Sequence, residues 1–182
     1  MNYKRWIFVA VFLFGTGLVF GLATSANNSL PSEYITAFEE QSASILALPK
    51  PLIALFLFLK NTLALLVSFA LSPIFCLVPI LALIINGWMI ALVSTLVIEE
   101  ESLGFLLAGL LPHGIFELPA LILGQAAALS FGAVVIIALF KRERRNLLLP
   151  SLKQNLRYLV VALALLLPAA IIETYITPLF LT

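Results

Sequence analysis

Long apolar runs separated by short polar or charged stretches dominate this chain. A helix needs about 20 predominantly apolar residues to cross the hydrocarbon core of a bilayer. Five runs come close to or exceed that length, and they cover residues 6–23, 51–70, 73–98, 103–140 and 158–176. The pattern predicts an all-α membrane protein with about five transmembrane helices, forming one polytopic domain over residues 1–182.

The fourth run is too long for a simple span. As one helix its 38 residues would measure about 57 Å, against a hydrocarbon core of about 30 Å. Pro112 and Gly114 suggest where the run is interrupted, because proline removes a backbone donor and clashes with the preceding turn. We therefore expect a short re-entrant or interfacial segment over Leu103–Leu111, a break near residues 112–114, and a long helix over Ile115–Phe140 that is tilted or kinked at Pro119.

Two N-terminal features concern topology. The first apolar run follows Lys4 and Arg5 and resembles a signal peptide, but it is longer than the usual signal core of about 7–15 residues, so we interpret it as an uncleaved first span. The stretch 30–49 contains Pro31, Ser32 and Glu33, which favour a helix start, and then apolar positions typical of a surface-lying helix. It predicts an external interfacial segment.

The composition and the distribution of charge support a membrane location and give an orientation. The chain is 63% hydrophobic and 10% charged, whereas soluble domains carry about 25% charged residues. Eight of the ten basic residues fall on one side of a five-span arrangement, namely Lys4, Arg5, Lys141, Arg142, Arg144, Arg145, Lys153 and Arg157. The positive-inside rule then predicts a multi-pass protein of the cell membrane, with a cytoplasmic N-terminus and an external C-terminus.

His113 and Glu117 are the most informative polar residues. They lie four positions apart, so on a helix they share one face, and ionisable groups within a span usually mark a partner or a cavity. The same face continues into small residues that allow close helix packing, and Gln125 lies beside them. This helix-packing stripe comprises Ala120, Gly124, Ala128 and Gly132. Gly17 and Gly21 form a second, weaker stripe in the first span.

Other polar residues occupy comparable depths in the second and third spans. These are Lys60, Asn61 and Asn86. A buried lysine needs a carboxylate, and Glu117 is the only acidic residue that we place within the spans, because we assign Glu173 to the external side. We therefore predict that Lys60 pairs with Glu117, in one chain or across a dimer, and that His113 with Asn61 or Asn86 completes the hydrogen bonding.

Several roles are compatible with this intramembrane cluster. It can be structural, joining helices, or it can line a transport or proton-relay path. A metal site is disfavoured because one histidine and one glutamate supply two ligands, whereas a catalytic zinc has three and a structural zinc four. No oriented nucleophile set, phosphate loop or aromatic-interleaved basic patch is evident. The sequence thus predicts no enzyme activity, no cofactor, no metal and no nucleic-acid partner.

The run Pro112-His113-Gly114-Ile115-Phe116-Glu117-Leu118-Pro119-Ala120 resembles the signature of the stage II sporulation protein M family of integral membrane proteins. Lys60-Asn61 and Asn86-Gly87 resemble that family's polar positions in earlier spans, although Lys60 departs from the neutral polar residue more often found there. The similarity extends from about Leu52 to Phe180. It implies a polytopic, non-catalytic partner of other envelope proteins, since the family's named member assembles with cell-wall hydrolases.

These observations favour a membrane scaffold or assembly partner, in contact with membrane lipids, as a homo-oligomer or with membrane or envelope proteins. The alternative is a small transporter or channel subunit whose path is lined by the cluster. A scaffold should bury the cluster dry between helices, whereas a transporter should have a cavity that reaches Glu117 from one side.

Overall fold

The computed structural model describes residues 3–26, 45 and 47–181. Within these residues the long elements are helices α1 (Tyr3–Ala26), α2 (Lys50–Leu71), α3 (Leu77–Glu100), α4 (Leu103–Phe140) and α5 (Leu148–Ile171). Five helical stretches are long and apolar enough to cross a membrane. The predicted all-α, five-span fold class is therefore confirmed, while most of the predicted interfacial segment 30–49 lies outside the described residues.

Helices α1 and α3 run parallel and approach each other closely through glycine. A Cβ added at Gly17 would collide with the backbone carbonyl of Ile84, and one at Gly87 would collide with the backbone of Phe14. At Gly21 it would lie 2.6 Å from the Ala91 Cβ. The glycine pair of the first span is thus the surface through which α1 contacts α3. Glycine allows this contact because it has no side chain to keep the two backbones apart.

A second layer is formed by α2, α4 and α5. Leu65 of α2 packs over Gly124, where a Cβ would lie 2.8 Å from its side chain, and Ala162 of α5 closes on the same glycine at 3.4 Å. Ala120 and Ala128 are fully buried in this core. The predicted small-residue stripe of α4 is therefore the packing surface for both neighbours.

The predicted break near Pro112 and Gly114 is not present, because α4 is continuous from Leu103 to Phe140 with both prolines inside it. A continuous helix longer than the hydrocarbon core is accommodated by tilt or by ends that extend beyond the core, so the length of the run does not require an interruption. Gly132 packs against the backbone of Ser72, at the turn between α2 and α3. The last eight residues of α4, about 12 Å of helix, therefore project beyond that turn. The next helix begins at Leu148, ten residues before the predicted span.

The turn between α2 and α3 is tight and strained. Phe75 and Cys76 both adopt positive φ, at 49° and 55°, a region that is uncommon for residues other than glycine. Cys76 is buried and its Sγ donates to the Leu129 carbonyl at 3.6 Å. Burial raises the pKa of the Cys76 thiol, as expected for a cysteine that acts as a small hydrophobic residue.

The last helix changes geometry near its end. After Pro168 the backbone passes from α5 into a π-helical segment, Ile172–Ile176, and then into a 3₁₀ turn, Thr177–Phe180. π-helical turns are rare and occur frequently at functional sites, because they change the direction in which side chains project. Here the segment carries Glu173.

Candidate functional site

A cavity of about 310 Å³ lies between α2, α3, α4 and the π-helical segment. Its wall includes most of the polar residues that the sequence singled out. The lining comprises Lys60, Asn86, His113, Gly114, Glu117 and Glu173, together with Met89, Ser94 and apolar side chains. Of the predicted helix-break residues, only Gly114 belongs to this wall, and Pro119 is exposed.

The hydrogen-bond partner of Glu117 is Asn61, which is adjacent in sequence to Lys60, the residue predicted to pair with it. Asn61 Nδ2 donates to Glu117 Oε1 at 3.0 Å, whereas Lys60 lines the cavity without an ion pair to Glu117 shorter than 4 Å among the described residues. Adjacent helix positions point about 100° apart, so Lys60 leaves α2 in a different direction from Asn61. An amide therefore takes the place that we predicted for the ammonium group.

His113 and Asn86 have different local partners. The Nδ1 atom of His113 lies 3.5 Å from the Thr177 hydroxyl, which ties α4 to the end of the last helix. Asn86 donates to the Ala82 carbonyl on its own helix at 2.7 Å, and its side chain is exposed. It therefore does not complete the hydrogen bonding of Glu117.

Glu173 is the residue that sequence reasoning missed. It was assigned to the external side, although it falls within the fifth apolar run at 158–176. In the structure, ligand-capable atoms of His113, Glu117 and Glu173 all lie within 4.8 Å of one another. The position of this carboxylate inside an apolar run could have identified it as a candidate. The π-helical turn that directs its side chain towards the cavity could not be predicted from the sequence.

Gln125 belongs to a separate place. It is fully buried, and its Oε1 accepts a hydrogen bond from the Ser68 hydroxyl. No polar member of the cavity participates in this contact. The predicted polar cluster is thus divided into a group around the cavity and a dry pair closer to the basic end.

The cavity carries an uneven set of charges. Two carboxylates, Glu117 and Glu173, face it with one ammonium group from Lys60 and one imidazole from His113. Charges in a low-dielectric surrounding need a partner close by. One lysine offsets one carboxylate, so the arrangement can accept a further positive charge.

Comparison with known proteins places the chain in a family. It matches the sequence model of the family described as stage II sporulation protein M over residues 10–178. It is also similar to an uncharacterized protein of Methanocaldococcus jannaschii, at 29% identity over 178 residues that cover 94% of this chain and 93% of the relative. No solved structure matches the chain. Since the family match spans nearly its whole length, the chain belongs to the stage II sporulation protein M family.

Proposed function

We propose that this chain is a non-enzymatic scaffold or assembly partner of a membrane complex, and that the complex contains a second copy of the chain. The observation that carries the proposal is the exposure of Lys60 and Asn86. Both residues lie about 15 Å along their helices, a depth at which lipid tails would surround them. A polar side chain there is costly unless protein or trapped water covers it.

A cavity that reaches Glu117 is what a transporter was expected to have, but the closed inner end of this cavity supports the assembly role. Its deepest residue on α4 is Leu121. Beyond it, Gly124, Gln125 and Ala128 are buried against α2 and α5. One chain therefore supplies a one-sided recess and no continuous path to the opposite face, and a neighbouring helix would complete its wall.

In the proposed arrangement the protein lies in the plasma membrane, with its N-terminus in the cytoplasm. The basic residues at the start of α1 and between α4 and α5 support this orientation. A cysteine placed at Arg144, in a cysteine-free background, should react with a membrane-impermeant maleimide only after the cells are opened. Labelling of intact cells would overturn the orientation.

Cross-linking tests the assembly directly. In a Cys76→Ala background, Asn86→Cys should form a disulfide-linked dimer in native membranes, whereas Val19→Cys should not. Val19 is 67% exposed on α1, which does not line the cavity. A chain that stays monomeric in nanodiscs, with no cross-link from position 86, would contradict the proposal.

A transport role is the second candidate, and the cavity is the observation that favours it. A purely structural role would require the group around Glu117 to be buried without water, but these residues line a cavity. If transport is the function, proteoliposomes should show ion or proton flux that Glu117→Gln abolishes. Flux equal to that of empty liposomes would leave the assembly role as the better explanation.

A further inference from the structure

We propose that His113, Glu117 and Glu173 bind one divalent transition-metal ion of the Mn²⁺ to Zn²⁺ group at the wall of the cavity. This site goes beyond the assembly role and does not depend on it. The first support is geometric, because one ligand-capable atom from each residue lies within 4.8 Å of the others.

The spacing is close to that of a metal centre. With metal–ligand lengths of about 2.0–2.2 Å, ligand atoms around one ion lie about 3–4 Å apart. An approach of about 1 Å between side chains would therefore complete the site. Two of the ligands are one helical turn apart on α4, and the third comes from a different helix, so an ion would join α4 to the π-helical segment.

The second support is the set of groups that hold the ligands in place. Asn61 donates to Oε1 of Glu117, so Oε2 would be available to an ion. The Thr177 hydroxyl lies 3.5 Å from Nδ1 of His113, so Nε2 would be the ligand nitrogen. Outer groups that orient the ligands in this way are characteristic of metal sites and strengthen the affinity.

The third support is the charge and the space. Two carboxylates and an imidazole facing one cavity favour a cation, and the ammonium group of Lys60 offsets only part of the negative charge. The mixed nitrogen and oxygen donors suit Mn²⁺, Fe²⁺ or Zn²⁺ better than Mg²⁺ or Ca²⁺, which prefer oxygen alone. Three protein ligands leave positions for water, and the cavity of about 310 Å³ has room for it.

The test is a titration of the full-length, tag-free chain in detergent with Zn²⁺ and, separately, with Mn²⁺, followed by calorimetry. We expect one ion per chain. Glu117→Gln and Glu173→Gln should each weaken binding at least tenfold. Loss of a group that only orients a ligand already weakens binding by about 10- to 100-fold, so loss of a ligand should cost at least as much. The matched control is Glu101→Gln, which removes an exposed carboxylate outside the cavity and should leave the affinity unchanged.

Lys60→Gln provides a test of opposite sign that keeps all three ligands. Removing this positive charge should tighten binding about three- to tenfold, because unit charges inside a protein repel over this range. The proposal is overturned if the wild-type chain shows no saturable binding up to about 1 mM. It is also overturned if the Glu117 and Glu173 variants bind as the wild type does, or if Lys60→Gln weakens binding.

Discussion

Two polar regions of α4 differ in how their groups are satisfied. Near its centre Gln125 is fully buried and hydrogen-bonded to Ser68 of α2, and at the adjacent Gly124 an added Cβ would collide with Leu65. About two to three turns towards its start, Glu117 and His113 face a cavity with Glu173 and Lys60. In the first region the Gln125 oxygen has a buried donor, whereas the second gathers two carboxylates and an imidazole around one ammonium group. The difference indicates that packing explains the first region, and that the second needs a ligand or a partner.

The glycines of α4 give the largest expected contrast. At Gly132 an added Cβ would meet the backbone of Ser72 and lie 2.8 Å from Cys76 Sγ, whereas at Gly114 the nearest atom is Leu110 Cγ at 3.9 Å. Gly132→Ala should therefore cost about 3 kcal/mol through overpacking. Gly114→Ala should be neutral or stabilise by up to about 1 kcal/mol, because alanine favours the helix. Reversible unfolding in mixed micelles measures both, and equal losses would show that the cavity wall is as tightly packed as the core.

The dry pair should show strong coupling. Ser68→Ala leaves the Gln125 oxygen buried without its donor, which costs about 1–3 kcal/mol. Replacing both residues, as Ser68→Ala with Gln125→Leu, should recover part of that loss, since an apolar pair leaves no unsatisfied group. A double-mutant cycle quantifies the coupling. A Ser68→Ala loss below about 0.3 kcal/mol, or additive losses, would remove the distinction between the two regions.

The equivalent contact at the cavity should matter less for stability. Asn61→Ala removes the donor to Glu117, but the cavity has room for water to replace it. Water-mediated hydrogen bonds are nearly as favourable as direct ones, so the expected loss is below about 1 kcal/mol in the same unfolding assay. A loss as large as that of Ser68→Ala would mean that the Glu117 contact is structural.

Periodicity and composition were sufficient to predict the class of fold, because five apolar runs of the required length leave few alternatives. The spacing of Ala120, Gly124 and Ala128 likewise predicted a packing face, since residues three and four apart share one side of a helix. The break at Pro112 was wrong, because the sequence does not reveal how far α4 extends past its neighbours. Glu173 was missed for a related reason: its direction depends on a π-helical turn, which leaves no periodic signature.

The most direct measurement of the central contrast is thermal unfolding of Ser68→Ala and Glu117→Gln side by side in nanodiscs, with and without saturating Zn²⁺. Ser68→Ala should lower the midpoint by a similar amount in both conditions and keep the upward shift that ligand binding to the folded state produces. Glu117→Gln should match the wild type without the ion and lose the zinc-dependent shift. If Glu117→Gln destabilises the protein as much as Ser68→Ala regardless of zinc, the group around the cavity is structural and the account is contradicted.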